Sequence, residues 1–449
     1  MKRRILRPSA LTRREFLRAS AAAAAAPVLA PLAGAPPAAP AGKKPPNIVL
    51  IMADDLGYEC LGCNGGQSYE TPNLDALAAA GTRFEHCYCT PLCTPSRVEI
   101  MTGQYPFRNG WPVGIWTKPA AKKVVDPATP TFARMLKDSG YATAVAGKWQ
   151  LCEFNRHPNH PRDMGFDAHC LWTWTVEGKR QKRYWNPAVW QDGKRLDGTT
   201  GKYGPDLFTD YLIDFISRSK DGPFLAYYPM ALVHSPFIPT PDSRGQAKGD
   251  RRRGGGKQAN FAAMVAYMDK LVGRLVGHLQ KLGLRERTLV LFTGDNGTPG
   301  GIRTKWNGRT ISGGKGSLND RGSHVPLIAA RPGTVAAGKV CEDLVDFSDV
   351  LPTLAEVAGA KPPTGHVVDG RSFAARLGGG EGKPRDWVYV QLGNKAFVRE
   401  TGWKLFTDGR LVRHGKGHYD NTAVTAGQAT PADGAARERL AAVLKSLRP

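Results

Sequence analysis

Short, continuous apolar runs alternate with amphipathic stretches along the chain. The runs at 47–52, 141–146, 224–228 and 288–293 are rich in β-branched and aromatic residues, which is typical of parallel strands covered on both faces. Apolar positions in 261–282 recur at helical spacing and predict a long amphipathic helix. Because helical segments separate the strands, we predict an α/β fold with a large, mostly parallel sheet flanked by helices.

The pattern changes after the glycines at 378–380. Alternating apolar residues predict short antiparallel strands at 387–390, 396–398 and 403–406. A closing helix is predicted over 435–447. The chain is therefore divided into a large α/β domain over 45–380 and a small C-terminal α+β subdomain over 381–449.

Residues 1–41 carry the marks of an export signal. A basic start that includes Arg13 and Arg14 precedes an alanine-rich apolar stretch at 19–32 and a proline-rich end. The paired arginines followed by Phe-Leu resemble a twin-arginine signal, which carries folded proteins out of the bacterial cytosol. We therefore expect the twin-arginine export machinery as a partner and a periplasmic or extracellular location. A basic disordered arm is the alternative, and we expect no stable membrane span in the mature protein.

The composition is globular, with 41% hydrophobic and 22% charged residues. The formal net charge is +23, of which residues 1–41 contribute seven basic side chains against one acidic side chain. The remaining positive charge favours a polyanionic substrate or partner. No recognition motif points to nucleic acid, and export would separate the protein from DNA. The basic segment 243–257 is expected to form a mobile surface loop, with contact to a polyanion as the alternative.

The chain contains eight cysteines. Folding before export takes place in a reducing cytosol, so we predict no disulfide. Cys60 and Cys63 form a CxxC pair, but no second pair stands at zinc-finger spacing, and we interpret them as small apolar residues.

Two predicted strands end in polar oxygen ligands. Asp54 and Asp55 follow the first run, and Asp295 and Asn296 follow the run at 288–293. Ligands gather at the carboxyl ends of parallel strands, and this donor set suits Ca²⁺ or Mg²⁺. Helix caps and turns are the alternative reading, because Asp and Asn favour those positions.

The segment Cys93-Thr94-Pro95-Ser96-Arg97, followed by Thr102-Gly103, resembles the sulfatase signature Cys-x-Pro-x-Arg. The segments that accompany it also stand in the family's order over about 46–377: Asp54-Asp55, Gly147-Lys148-Trp149, His234, Asp295-Asn296-Gly297 and Lys315. The resemblance implies an alkaline-phosphatase-like fold and hydrolysis of sulfate monoesters. It also implies that a formylglycine-generating enzyme oxidises Cys93 to formylglycine. One oxygen of the hydrated aldehyde attacks sulfur, and the other expels sulfate as the aldehyde reforms.

The resemblance implies a role for each matching residue. The metal ligands would be Asp54, Asp55, Cys93, Asp295 and Asn296, with Ca²⁺ expected and Mg²⁺ as the alternative. Arg97 would hold the hydrate, since it stands four positions after Cys93 and a helix starting at the motif puts both on one face. Lys148 would bridge nucleophile and sulfate, Lys315 would bind sulfate, and His234 would protonate the leaving oxygen.

The sequence departs from the family pattern at Gln150, where the family commonly has histidine. A neutral amide can bind the hydrate but cannot shuttle protons, so we expect Gln150 in the substrate site with an altered pH dependence. His324 is a further, weaker candidate.

The substrate is expected to be an aryl sulfate or a sulfated carbohydrate. Six tryptophans in apparent loops could stack on sugar rings or pack in the core: Trp111, Trp116, Trp172, Trp174, Trp185 and Trp190. A phosphonate or phosphodiester hydrolase of the same superfamily and a sulfated-glycan binding protein without turnover are the competing functions.

Overall fold

The structure is a computed structural model, and it describes residues 44–117, 124–154, 156–244, 256–415 and 417–447. The export signal predicted over 1–41 lies outside the described residues. The same holds for residues 245–255 of the predicted basic loop.

The strands are numbered in chain order. They are β1 Asn47–Ala53, β2 Thr82–Tyr88, β3 Ala142–Trp149, β4 Ala168–Thr173, β5 Thr175–Val176, β6 Lys179–Arg180, β7 Val189–Gln191, β8 Lys194–Arg195, β9 Phe224–Pro229, β10 Thr288–Gly294, β11 Arg303–Trp306, β12 Arg309–Ser312, β13 His324–Ala330, β14 Lys339–Asp346, β15 Val388–Leu392, β16 Lys395–Arg399, β17 Trp403–Phe406, β18 Leu411–His414 and β19 Asn421–Ala423. All four apolar runs predicted as strands are confirmed.

The α-helices follow the same convention. They are α1 Pro72–Ala79, α2 Cys93–Thr102, α3 Pro106–Asn109, α4 Phe132–Asp138, α5 His160–Asp163, α6 Gly204–Arg218, α7 Gly256–Lys281, α8 Asp320–Ser323, α9 Val350–Ala358, α10 Ala374–Leu377 and α11 Pro431–Leu447. The long amphipathic helix predicted over 261–282 is α7, which begins five residues earlier. None of the helices in the described part of the chain is both long and apolar enough to cross a membrane.

A ten-stranded sheet forms the centre of the fold, in the order β14-β2-β13-β10-β1-β9-β3-β4-β7-β8. The middle strands β10, β1, β9, β3 and β4 run parallel. Strand β13 is antiparallel to both of its neighbours, and β7 and β8 add an antiparallel edge. The prediction of a large, mostly parallel sheet flanked by helices is confirmed.

The continuous apolar run of β1 reflects burial on both faces of the sheet. Val49 and Ile51 belong to the core that contains apolar residues of α6 and α7. Ile48 and Leu50 belong to the opposite core, with apolar residues of α4 and α9. A strand covered by helices on both sides has no solvent face, so its sequence does not alternate.

Strands β1 and β10 end level with each other, because Ala53 is paired with Gly294. Their next residues, Asp54 and Asp295, therefore leave the sheet at the same edge. The register between β1 and β10 thus brings Asp54-Asp55 close to Asp295-Asn296, although Asp55 and Asp295 are 240 residues apart in sequence.

The C-terminal residues form a second, antiparallel sheet in the order β15-β16-β17-β18-β19. The helix α11 packs on it through Leu440, which shares a cluster with Val398 and Leu405. Buried Lys404 of β17 contacts Asp320 of α8 with Nζ–O distances of 2.9 and 3.0 Å. The predicted C-terminal antiparallel sheet with a closing helix is confirmed, whereas the domain division at 380 stays a prediction.

Candidate active site

Helix α2 begins at Cys93 and is buried along its whole length. Pro95 lies in its first turn, where a missing backbone N–H costs no helical hydrogen bond. The helix ends at Gly103, which takes a left-handed φ of 68°. The expected helix therefore places Cys93 and Arg97 one turn apart. The Cys93 thiol points at the strand ends, with Sγ 3.2 Å from Asp54 Oδ1 and 3.7 Å from Asp55 Oδ1.

Four residues at the ends of β1 and β10 form what we call the strand-end site: Asp54, Asp55, Asp295 and Asn296. All four are buried. The Asp55 N–H donates to Asp295 Oδ1 at 2.9 Å, and Asn296 Nδ2 donates to Asp55 Oδ1 at 2.9 Å. Asp55 has a φ of 65°, a strained conformation for a residue with a Cβ that is common at functional sites.

Each carboxylate of the strand-end site has a cationic partner, which is buried for Asp54 and Asp295 and half-buried for Asp55. Lys148 Nζ lies 2.7 Å from Asp54 Oδ2, and Lys315 Nζ lies 2.5 Å from Asp55 Oδ1. Arg97 Nη2 lies 2.7 Å from Asp295 Oδ2. Lys315 Nζ is also 3.6 Å from Cys93 Sγ. Three negative and three positive charges thus surround the thiol.

Strand β3 delivers Lys148 through the glycine that precedes it. Gly147 has a φ of 131°, and a Cβ at this position would lie 2.1 Å from the Pro229 carbonyl oxygen of the adjacent β9. Only glycine allows so close an approach of the two strands. Glycine at position 147 is therefore required for the close packing of β3 against β9 that places Lys148 at the site.

The charges shift the pKa values within the site in opposite directions. Burial alone would raise the pKa of Asp54, but Lys148, His234 and Arg97 together hold it well below the ordinary value. Burial and the adjacent Asp54 charge raise the pKa of Asp295 to about 6. Burial, with Asp295 and Asp54, raises the pKa of the Cys93 thiol well above its ordinary value. As a thiol, Cys93 is therefore protonated near neutral pH.

His234 joins this group from the loop after β9. Its Nε2 lies 3.7 Å from Asp55 Oδ2, while its Nδ1–H donates to the Ser235 carbonyl at 2.6 Å. Burial lowers the pKa of His234 to about 4, although Asp55 and Asp54 act against this shift. The imidazole is therefore neutral at pH 7 and keeps a lone pair on the side of the carboxylates.

The donor set fits a hard divalent cation. Potential ligand atoms of Asp54, Asp55, Cys93 and His234 lie within 4.8 Å of one another. The buried Asn296 Oδ1 has no hydrogen-bond partner in the described part of the chain, although a buried amide oxygen is normally satisfied. Carboxylate and amide oxygens are the ligands that Ca²⁺ and Mg²⁺ prefer. The soft Cys93 sulfur is the one ligand of the expected set that suits such an ion poorly.

A cleft of 1020 Å³ opens above the strand-end site, and we call it the tryptophan cleft. Its lining includes aromatic, cationic and polar residues: Trp116, Trp172, Trp174, Trp185, Arg180, Lys182, Arg183, Lys148, Gln150, His234 and Lys315. Gln150 Oε1 is buried without a hydrogen-bond partner among the described residues. The structure thus brings the four predicted substrate residues together in the lining of this cleft: Lys148, Gln150, His234 and Lys315.

The six tryptophans divide between two environments. Four line the cleft, whereas Trp190 stacks on Phe154 at 5.8 Å between ring centroids, and Trp111 is buried in the same core. The expectation that all six lie in loops is wrong for Trp172 and Trp190, which belong to β4 and β7. Both residues lie in the part of the sheet beyond β3, which is formed by β4, β7 and β8. No continuous apolar run in the sequence predicts these strands.

Arg183 is a site residue that the sequence analysis missed. Its Nη1 lies 3.6 Å from Asp54 Oδ2, and its guanidinium stacks over Trp172 at 4.2 Å. It stands in the basic stretch 179–183, where no spacing distinguishes it from a solvated arginine. The neighbouring Tyr184 donates to the Ala231 carbonyl at 2.7 Å and so ties this stretch to the loop before His234.

His324 does not join the strand-end site. It begins β13, its Nε2–H donates to the Glu85 carbonyl at 2.8 Å, and its ring lies beside His418 at 4.5 Å between centroids. The weak assignment of His324 to the substrate site is therefore corrected. All eight cysteines are free in the structure.

Comparison with known proteins gives concordant matches. The Sulfatase family model matches residues 46–360. Arylsulfatase A of Homo sapiens is 33% identical over 413 residues, which covers 85% of this chain and 77% of that protein. Steryl-sulfatase of Rattus norvegicus is 31% identical over 414 residues, which covers 74% and 70% respectively. The crystal structure of Ps i-CgsB has a TM-score of 0.74 at 25% identity and covers 90% of this chain and 93% of that chain.

Proposed function

Because the chain belongs to the sulfatase family and is a sulfuric ester hydrolase, we propose that it cleaves sulfate monoesters at the floor of the tryptophan cleft. We further propose that Cys93 is the precursor of the nucleophile and is oxidised to formylglycine. One observation carries this proposal. Cys93 Sγ lies 3.2 Å from Asp54 Oδ1 and 3.6 Å from Lys315 Nζ, so any group at this position faces both the cation-binding oxygens and a sulfate-binding lysine.

The chemistry of an unmodified thiol supports the need for oxidation. The thiolate is the nucleophilic form of cysteine, and the surroundings of Cys93 raise its pKa through burial and two nearby carboxylates. Sulfur is also a soft ligand among hard oxygen donors. A hydrated aldehyde at residue 93 provides oxygen atoms instead, which match both the carboxylate-rich surroundings and the reaction.

The cationic side chains have separable tasks. Lys148 and Lys315 reach both the carboxylates and the cleft, so they can neutralise the non-bridging oxygens of a bound sulfate. Arg97 is fixed by Asp295 and by the Lys148 carbonyl at 3.3 Å, which suits it to orient residue 93. Arg183 at the cleft wall adds a positive charge beside Asp54.

His234 is the proposed donor of the proton that the leaving oxygen takes up. It faces the cleft, and 22% of its side chain is exposed. A bound sulfate places negative charge near the imidazole, which favours its protonated form and raises its pKa from the value of about 4 in the free protein. Gln150 is proposed to hydrogen-bond in the substrate site without transferring a proton.

The cation-binding residues are proposed to be Asp54, Asp55, Asp295 and Asn296, with residue 93 as a further ligand after oxidation. Ca²⁺ is proposed as the ion, with Mg²⁺ as the alternative. When bound, the cation supplies Lewis-acid stabilisation of charge that develops on the sulfate oxygens.

The cleft supports a sulfated carbohydrate as the substrate class. Its volume of 1020 Å³ lies at the upper end of about 300–1,000 Å³ for small-molecule sites, so there is room for more than one sugar ring. Aromatic faces of Trp116 and Trp174, which lie 6.0 Å apart, can stack on sugars, and the cations Arg180 and Lys182 can bind further anionic groups.

Export and modification complete the proposal. The sequence of residues 1–41 favours twin-arginine export to the periplasm or the exterior. A formylglycine-generating enzyme would act on Cys93 before the helix α2 is buried, because Cys93 is 1% exposed in the folded chain.

Peptide mass spectrometry across Cys93 tests the proposal when it is paired with a turnover assay. The protein is expressed with a formylglycine-generating enzyme, and sulfate release is measured from an aryl sulfate and a panel of sulfated sugars. An aryl phosphonate with the same leaving group is the control substrate. A Cys93 thiol that is unmodified in an active preparation would refute the nucleophile assignment. Faster turnover of the phosphonate would favour a phosphonate hydrolase, and no turnover with formylglycine present would favour a binding protein.

A further inference from the structure

Three histidines that are remote in sequence meet at a second position outside the strand-end site. His86 lies on β2, His324 begins β13, and His418 lies between β18 and β19. One ring nitrogen of each residue lies within 4.8 Å of the others. This three-histidine cluster joins the central sheet to the C-terminal sheet.

Hydrogen bonds orient two of the three rings. The His324 Nε2–H donates to the Glu85 backbone carbonyl at 2.8 Å, and the His418 Nε2–H donates to the Glu85 side chain at 2.6 Å. Each of these rings therefore keeps its Nδ1 lone pair free for another partner. A histidine that binds a metal ion through one nitrogen usually donates its other N–H to a carbonyl or a carboxylate, and both of these rings do so.

Two of the imidazole nitrogens lack a partner although they are buried. His86 Nδ1 and His324 Nδ1 make no hydrogen bond within the described residues. An unsatisfied buried nitrogen is costly, and buried polar atoms normally have a hydrogen-bond partner. A shared cation would satisfy both nitrogens at once.

Aromatic neighbours hold the cluster in place. The Tyr58 ring stacks on His324 at 4.1 Å between centroids, and Tyr88 stacks on its other side at 5.1 Å. Tyr58 also donates its hydroxyl to Glu85 Oε1 at 2.7 Å. The orientation of His324 is therefore set by packing before any ion binds.

We propose that His86, His324 and His418 bind a divalent transition-metal ion of the Zn²⁺ class. Imidazole nitrogens are common Zn²⁺ ligands, with bonds of about 2.0–2.1 Å, so a tetrahedral site holds its nitrogens roughly 3.3 Å apart. Binding thus requires the nitrogens to approach one another, and the loop that carries His418 provides this adjustment. A cavity of 500 Å³ lined by His418, Glu85 and Tyr58 has room for a water molecule as the fourth ligand.

The charges around the cluster are mixed. Glu85 faces it directly and favours a cation, and Asp320 acts in the same direction on His86. Arg399 acts against a cation at His86, and Arg83 is paired with Glu85 at 2.5 Å. The ion is therefore held by coordination bonds to the imidazoles more than by a surplus of negative charge.

Zinc content of the full chain tests the proposal. The protein is purified without a histidine tag, stripped with a chelator, and dialysed against Zn²⁺ in the presence of excess Ca²⁺. We expect one equivalent of bound Zn²⁺ and a rise in Tm. His418→Ala and His418→Gln should each weaken Zn²⁺ binding by about 100-fold or more, and Glu85→Gln by about 10–100-fold. The matched control is His157→Ala, which alters a half-buried histidine on another loop and should bind Zn²⁺ as the parent does.

Two further measurements separate the cluster from the strand-end site and from misfolding. Co²⁺ loaded in place of Zn²⁺ should show the absorption of nitrogen ligation, whereas a sulfur charge-transfer band would place the ion on a cysteine and overturn the proposal. The stripped His418 variants should show the same cooperative unfolding transition as the stripped parent, at a Tm lowered only by the loss of the hydrogen bond to Glu85. Equal Zn²⁺ content in the parent and both His418 variants, or no bound Zn²⁺ in the parent, would also overturn it.

Discussion

Two buried charged clusters in this molecule have similar composition and different surroundings. At the strand-end site, three carboxylates are paired with Lys148, Lys315 and Arg97. The second, which we call the Arg385 cluster, combines Asp346 and Asp349 with Arg385, Tyr105 and Ser348. Arg385 Nη1 lies 2.5 Å from Asp346 Oδ2 and 2.8 Å from the Tyr105 hydroxyl, and Nη2 pairs with Asp349.

The clusters differ in the space beside them. The tryptophan cleft measures 1020 Å³, whereas the cavity next to Asp349 and Arg385 measures 20 Å³, enough for about one water molecule. The Asp346 and Asp349 carboxylates also accept hydrogen bonds from nearby backbone and side-chain groups. Among the described residues, the unpartnered buried atom of the strand-end site is an acceptor that can bind a cation, Asn296 Oδ1, whereas that of the Arg385 cluster is a donor, Arg385 Nε. Buried charge alone therefore does not identify an active site. The large open cleft and the unpartnered acceptor atom are what distinguish the strand-end site from the Arg385 cluster.

The comparison predicts that changes in the strand-end site remove activity and leave the fold intact. Cys93→Ala should lower sulfate release by at least about 10³-fold, because the proposed precursor of the nucleophile is gone, while Tm stays near that of the parent. Cys341→Ala, at a half-buried cysteine of β14, is the matched control and should keep full turnover. A Cys93→Ala protein that retains activity would contradict the assignment of the active site to the strand-end site rather than to the Arg385 cluster.

Removal of divalent cations should affect both activity and stability. Chelation in the His418→Ala background, which isolates the strand-end site from the three-histidine cluster, should abolish turnover and lower Tm. An ion at 100 times its Kd contributes about 2.7 kcal/mol to the free energy of unfolding. Readdition of Ca²⁺ should restore both quantities. A Tm that does not change on chelation would argue against cation binding by the four residues of the strand-end site.

The Arg385 cluster should show the opposite response. Arg385→Met removes the partner of two buried carboxylates and should lower the free energy of unfolding by about 3–5 kcal/mol, measured by urea denaturation. The kcat of the remaining folded protein should change by only a few-fold, since no group of this cluster lines the tryptophan cleft. Arg410→Met, at an exposed ion pair with Asp408, is the control and should cost about 0–1 kcal/mol. A large loss of kcat in Arg385→Met at an unchanged free energy of unfolding would indicate a role in turnover for the Arg385 cluster and contradict this prediction.

The smallest expected effect concerns the pH profile. Gln150→His adds a titratable imidazole to the cleft, which should shift the acidic limb of kcat/KM with a change of less than about 10-fold at the optimum. Gln181→His, at another glutamine that lines the cleft, should leave the profile as it is. Identical profiles for both variants would show that proton transfer does not pass through position 150.

Much of the central fold could be predicted because burial on both faces leaves a plain mark in the sequence. The strands β1, β3, β9 and β10 are largely continuous apolar runs, and β1 and β10 are followed directly by polar residues. Strand β2, Thr-Arg-Phe-Glu-His-Cys-Tyr, mixes charged and apolar residues and carries no such mark, because it contributes to both the core and the histidine cluster. Its pairing with β13 and β14 depends on contacts that are distant in sequence.

The candidate site divides in the same way. The spacing of Cys93 and Arg97 within one helical turn and the polar residues after β1 and β10 have local signatures, so their meeting could be predicted. Arg183 and the three histidines have none. Residues 86, 324 and 418 come together only through the order of the strands and the placement of the C-terminal sheet, which no local spacing encodes.

The contact between Lys404 and Asp320 has a consequence for how this protein can be cut or redesigned. Asp320 lies five residues after Lys315, and the C-terminal sheet supplies its buried counterion. Truncation at residue 380 would leave that carboxylate without a positive partner and would loosen the segment that presents Lys315 to the tryptophan cleft. The C-terminal sheet therefore stabilises the segment that carries Lys315 at the bottom of the tryptophan cleft. A shortened version of the enzyme must retain this sheet.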